Sequence, residues 1–220
     1  RRIRFLLIIL LFVSFIALAT KALTGTGWVP VNEVATEWYD ISKENPALVQ
    51  LPRDEAPHED YTEWWYYNGQ LETAEGRKYS FHYTVFILNA LAAHTVIHAS
   101  FTDHETGERF TYQDRSGGNT AMDVKNGFNF TSGKWVMQGT EGNDRLQGQL
   151  DNFSFNLDLK SLTPVVLQGG TGLLDFREAG ESYYYSRPRM AIEGYVGTEG
   201  EEKPVTGIAW FDHQWGDFRT

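Results

Sequence analysis

Cysteine is absent from this 220-residue chain, which excludes disulfides, thiolate metal sites, a cysteine nucleophile and a lipid-modified cysteine anchor together. Positive charge is scarce: 19 Lys and Arg stand against 29 Asp and Glu, a formal net charge of −10, and three of the arginines lie within the first four residues. Phosphate neutralisation needs a basic face, so nucleic acid is excluded as a partner. Helical periodicity is missing beyond the N-terminal segment. There is no G-x-S-x-G, and Gly169-Gly170-Thr171-Gly172 lacks the Lys-Ser/Thr ending of a phosphate loop, which leaves it as an inter-strand loop.

Aromatic residues are abundant, with 7 Trp, 11 Tyr and 14 Phe making 15% of the chain, enough ring surface to build a sizeable core. Residues 1–19 open with Arg1, Arg2 and Arg4, continue as an apolar run and close on Ala17 and Ala19 in an A-x-A pattern. That is the signature of an export signal, and the run is short for a membrane span. The expected location is therefore periplasmic or extracellular, with anchoring by an uncleaved segment as the alternative. Residues 20–60, punctuated by Pro30, Pro46, Pro52 and Pro57, read as an extended lead-in.

From residue 62 onward the pattern alternates with period two, in segments separated by Gly, Asn and Asp clusters. Strands are predicted at 62–71, 79–87, 94–103, 109–113, 128–131, 134–139, 145–149, 152–160, 182–188, 190–196 and 205–212. So many short strands suit a closed antiparallel barrel, since closure removes exposed edges, and a barrel of eight to ten strands can hold one small apolar ligand. The fold class is all-β, with a barrel domain over 61–217.

The histidines do not predict a metal site. His94 and His98 are four apart, which on a strand separates their Cα atoms by about 13 Å, and His104 falls in a turn. No cofactor and no metal are expected. What stands out instead is Trp64-Trp65-Tyr66-Tyr67, the run Tyr183-Tyr184-Tyr185, and the rings Trp210, Phe211 and Trp215 around Asp212-His213. Rings on both faces of a strand fit a pocket walled by Trp64, Tyr66, Tyr184 and Trp210. They equally fit one face filling the core while the other packs on the lead-in or on a second domain. Few polar groups accompany the rings: His213, Asp212, Arg187, Arg189, Glu63 and His82. Asp212 and His213 are adjacent and so face opposite sides of a strand, whereas His213 and Trp215 share one side.

Four blocks resemble a known family: Leu51-Pro52-Arg53-Asp54 with Pro57-His58; Glu63-Trp64-Trp65-Tyr66-Tyr67-Asn68-Gly69; Tyr183-Tyr184-Tyr185-Ser186; and Gly207-Ile208-Ala209-Trp210-Phe211-Asp212-His213-Gln214-Trp215-Gly216. In order and spacing they resemble the lipocalin-like family that includes carotenoid 1,2-hydratase and the AttH-type secreted proteins. The resemblance implies two successive lipocalin-like β-barrels, of which this chain holds the first, the second being absent from it. It also implies a carbon-oxygen lyase chemistry, the cofactor-free addition of water to a double bond of an acyclic carotenoid or other isoprenoid. On that reading His213 and Trp215 are the catalytic pair, while a further tyrosine and an acidic proton donor lie beyond Thr220. Two alternatives stay open, a non-catalytic binding protein for an apolar ligand and a cyclisation-assisting enzyme like the fungal relatives. The expected partner is an apolar small molecule, with a peripheral membrane contact also open.

Overall fold

The computed structural model describes residues 47–118, 126–198 and 200–218. The chain divides into two units, Arg1–Asp40 and Ile41–Thr220, and only the second contains described residues. The expected export segment, and the lead-in as far as residue 46, lie outside them.

The all-β reading holds. Twelve strands follow one another as β1 (Thr62–Thr73), β2 (Lys78–Asn89), β3 (Ala93–Asp103), β4 (Arg109–Gly117), β5 (Phe128–Ser132), β6 (Trp135–Thr140), β7 (Asn143–Leu150), β8 (Phe153–Ser161), β9 (Val166–Leu167), β10 (Leu173–Asp175), β11 (Glu181–Thr198) and β12 (Lys203–Gly216). Among the described residues the only helical turns are short 3-10 segments. The strands form one antiparallel sheet in the order β4-β3-β2-β1-β12-β11-β8-β7-β6-β5, with β9 and β10 paired to β11.

Alternation in the sequence becomes alternation in burial. Trp65, Tyr67 and Leu71 of β1 are buried, and so are Tyr79, Phe81, Tyr83, Val85 and Ile87 of β2, while the residues between them are half-buried or exposed. The buried face is concave, and rings from opposite ends of the strand order meet across it. Phe110 of β4 stacks on Phe153 of β8 at 4.4 Å, Tyr112 of β4 on Trp135 of β6 at 4.2 Å, and Phe101 of β3 lies 4.8 Å from Phe155 of β8. These contacts correct the expectation of a closed ladder. The outer strands β4 and β5 are not paired to each other among the described residues, so the sheet is a curled half-barrel, brought together by ring packing rather than backbone hydrogen bonds.

The sequence reading breaks a strand at Pro188, yet β11 continues through it. Proline contributes no N–H to the ladder, and the register shifts in a bulge between Arg187 and Met190 before pairing resumes. A bulge adds twist to a strand, and this one lies beside the polar groups described next.

Candidate functional site

Three neighbouring strands place their odd-numbered residues on the concave face. Glu63, Trp65 and Tyr67 of β1 lie opposite Trp215, His213 and Phe211 of β12. Tyr183 and Tyr185 of β11 lie opposite Trp215 and His213 from the other side. His213 is thus flanked by Trp65 and Tyr185, and the side-chain period of two puts all of them on one surface.

Glu63 holds two imidazoles with one carboxylate. Its Oε1 lies 2.7 Å from His58 Nδ1 and 2.8 Å from His213 Nε2, and its Oε2 accepts the backbone N–H of His58 at 2.8 Å. Glu63 and His213 are both 0% exposed. Burial pushes the Glu63 carboxyl up, but the hydrogen bonds from His213 and His58 outweigh it and leave the group below its ordinary value. For His213 burial dominates and brings the imidazole down to about 4, against the pull of Glu63 in the other direction. Near neutral pH the pair is an ionised carboxylate and a neutral ring.

The tautomer follows from that charge state. A carboxylate can only accept, so Nε2 carries the proton and Nδ1 is left with its lone pair. Nδ1 is buried and has no hydrogen-bond partner. The ring that carries it is clamped, with Trp65 at 4.3 Å and 22°, Trp215 at 4.6 Å and 36°, and Tyr185 edge-on at 5.3 Å. His58 lies flat on Trp215, 4.2 Å away with 2° between the planes. The Oη of Tyr185 and the Nε1 of Trp65 are likewise buried without a partner. Native interiors pair almost all such atoms, and here three lie in adjoining rings, one of them on the imidazole itself. Burial, followed by the field of Glu55, pushes the Tyr185 hydroxyl well above its ordinary value, and it stays protonated. Chemically, Nδ1 of His213 is an oriented lone pair on a ring enclosed by Trp65, Tyr185 and Trp215.

His58, Glu63 and His213 also offer donor atoms within 4.8 Å of one another, the one such trio among the described residues. The sequence reading weighed only His94 and His98 for this role. The observed geometry is that of two rings sharing one carboxylate oxygen through hydrogen bonds.

Further along the same face lies a second polar group. Arg187 pairs with Glu55, whose other oxygen accepts the backbone N–H of Glu141 at 2.7 Å, and Tyr67 Oη donates to Asp144 Oδ2 at 2.7 Å. Burial raises the Asp144 carboxyl to about 7, more than Tyr67 and Arg187 lower it.

His213 and Trp215 therefore face the same side, in ring contact. The four rings expected to wall the ligand space are not brought to them. Trp64, Tyr66, Tyr184 and Trp210 are even-numbered and project from the opposite face. There Asp212 Oδ1 accepts Trp210 Nε1 at 2.7 Å and Ser186 Oγ at 2.6 Å, Trp64 stacks on Phe86 at 5.8 Å, and Tyr66 and Trp210 border a separate hollow of about 720 Å³ with His82 and Arg109. The two sets differ in phase: the rings sharing a face with His213 are Trp65, Tyr67, Tyr183 and Tyr185. His58, quoted from sequence only within the Pro57-His58 block, and Asp144 carry no expected site role. Asp144 falls just ahead of the strand predicted at 145–149, although its spacing from Leu146 and Leu150 puts it in phase with a buried face.

Comparison with known proteins bears on family and fold. The family model described as AttH-like matches residues 42–219. No curated protein sequence matches. Among solved structures, an AttH protein from Nitrosomonas europaea superposes with a TM-score of 0.68 at 27% identity, over 78% of this chain and 56% of that one. Kievitone hydratase from Nectria haematococca superposes with a TM-score of 0.64 at 20% identity, over 80% of this chain and 53% of that one. This chain thus spans about half the length of either structure, and the second likeness is one of fold. With the family model covering the whole of its described β-sheet, the chain belongs to the AttH-like family.

Proposed function

We propose that the concave face of this domain adds water to a carbon-carbon double bond of an apolar isoprenoid, an acyclic carotenoid being the probe of choice. The observation that carries the reading is the neutral, fully buried His213, fixed by Glu63 in the tautomer that leaves Nδ1 open. That nitrogen accepts a proton from water as the water oxygen bonds to carbon, a general-base role that suits an imidazole neutral at the working pH. The carbon attacked is a carbocation formed by protonation of the alkene. Ring faces such as those of Trp65 and Trp215 stabilise it by about 2 kcal/mol when water is excluded. His58 acts on the reaction only through Glu63, holding the carboxylate from its other side. A hydratase among proteins of this fold, kievitone hydratase, supports the reaction class.

The test is incubation of the purified protein with lycopene in ¹⁸O-water and mass spectrometry of the extracted pigment. The expected product is lycopene plus one labelled hydroxyl with the wild type and none with His213→Ala. Lycopene recovered bound and unchanged would instead make the domain a carrier.

A further inference from the structure

We propose that the outer face of the sheet binds an acidic oligosaccharide, a chain of uronate units, in the hollow between Trp210 and Arg109. The site lies on the side of the sheet away from His213, and the proposal does not rest on the hydration reading.

Strand register builds the site. Trp210 of β12, Asn68 of β1, His82 of β2 and Ser100 of β3 stand in one row straight across four strands. Ile208, Gln70, Ser80, Thr102 and Arg109 form a second row beside it that reaches β4. On each shared strand the two row members are two residues apart, so both face outward. At the usual spacing of strands the second row runs about 19 Å, the length of a short oligosaccharide. With Tyr66 and Pro188 these side chains bound a hollow of about 720 Å³.

The two ends of the hollow differ in chemistry. At one end Trp210 is 38% exposed and is not free to fold away, because its Nε1 donates to Asp212 at 2.7 Å. Asp212 also accepts the Ser186 hydroxyl at 2.6 Å, and Ser186 accepts Gln168 Nε2 at 2.8 Å. A large ring locked in place with a bare face is a platform for the C–H side of a sugar ring. In the middle, Asn68 and Gln70 offer amides while Ser80 and Thr102 offer hydroxyls, which the hydroxyls of a sugar would pair as water leaves. An apolar ligand would strip water from those groups and give nothing back.

Charge decides which sugar. Arg109 at the far end is exposed and has no carboxylate partner among the described residues, whereas Arg53, Arg77 and Arg187 are each paired. None of the described residues lining the hollow is acidic. Asp212, behind Trp210, is already taken up by Trp210, Ser186 and Tyr184. Burial, then the neighbouring His98 and Arg109, push the His82 imidazole below its ordinary value, so this ring, 3.1 Å from the Ser100 hydroxyl, is neutral at pH 7. The hollow thus carries a single formal charge, a guanidinium, in a chain whose net charge is −10. A guanidinium takes a carboxylate through two parallel hydrogen bonds, and a uronate unit presents that carboxylate on a sugar ring.

The experiment is isothermal titration calorimetry with tetragalacturonate and with its methyl ester, which keeps the rings and hydroxyls but not the charge. The proteins are the wild type, Arg109→Gln, Trp210→Ala and Tyr195→Ala, the last removing a ring that is 57% exposed and lies outside the hollow. Arg109→Gln should weaken tetragalacturonate by about 10-fold or more and leave the ester unaffected. Trp210→Ala should weaken both ligands by about 10-fold or more, and Tyr195→Ala neither. Thermal melts show that each variant is folded. Wild type that binds neither saccharide at millimolar concentration overturns the proposal, and so does binding that survives Arg109→Gln and Trp210→Ala, or that is equal for acid and ester. Lycopene hydration should run alike in all four proteins, so the two readings fail separately.

Discussion

Glu63 and His213 are 150 residues apart in the chain and 2.8 Å apart across the β1–β12 ladder, both without exposed surface. A carboxylate at that depth is tolerated because two imidazoles and a backbone N–H satisfy it. In return it decides which nitrogen of His213 is open.

Replacing Glu63 tests that dependence. Glu63→Gln keeps the shape but can donate as well as accept, so it no longer dictates the tautomer. Turnover should fall by about 10²- to 10⁴-fold, the usual worth of a positioned acid-base group, with lycopene affinity little changed. Glu63→Ala should in addition destabilise the fold by about 1 to 3 kcal/mol, because both rings lose their acceptor in a buried setting. Steady-state kinetics and urea unfolding separate the two effects.

Asp144 and His213 make opposed contributions to the pH dependence of stability. Asp144 keeps its proton to about pH 7 when folded but releases it near 3.8 when unfolded, so its contribution to stability declines as pH rises through that window. His213 takes a proton near 6.5 when unfolded and only at about 4 when folded, so its contribution is complete above about 6.5 and is lost as pH falls toward 4. Each amounts to about 1.4 kcal/mol per pH unit, and between about pH 4 and 6.5 they cancel. Asp144→Asn should therefore expose the His213 slope, with stability rising with pH across that range, whereas the wild type stays nearly flat. Denaturant unfolding at half-unit pH steps checks this.

The two sheet faces should separate by mutation. Trp215→Ala removes a buried ring packed on His213 and His58 and should cost about 3 to 5 kcal/mol, with Trp215→Phe retaining much of both stability and turnover. Trp210 is 38% exposed on the far face, so Trp210→Ala should change stability by less than about 1 kcal/mol and leave turnover as it was. Thermal melts and the lycopene assay on the three variants provide the comparison.

How legible this was from sequence differs between fold and site. Period-two alternation announced nearly every strand, because one buried face forces apolar residues onto alternate positions. It could not announce β9 or β10, which are two and three residues long, nor the continuation of β11 past Pro188, which needs the bulge to be seen. At the site, the shared side of His213 and Trp215 follows from their spacing. The choice of partner rings does not: in Trp64-Trp65-Tyr66-Tyr67 both phases are aromatic, and only the ladder to β12 shows that Trp65 and Tyr67 are the inward pair. His58 and Asp144 join through contacts 5 and 77 residues long, to Glu63 and Tyr67, and a contact of the second kind leaves no local pattern.

The central claim is that burial keeps His213 neutral while Glu63 fixes the tautomer that leaves Nδ1 open. Nitrogen-15 NMR of the histidine-labelled protein, with His213→Ala to assign the signals, measures it directly across pH 4 to 8. The account requires His213 to be a neutral ring protonated on Nε2 at pH 7 and to gain its second proton only near pH 4. A His213 protonated on Nδ1 at pH 7, whether as the other tautomer or as the imidazolium, would contradict it.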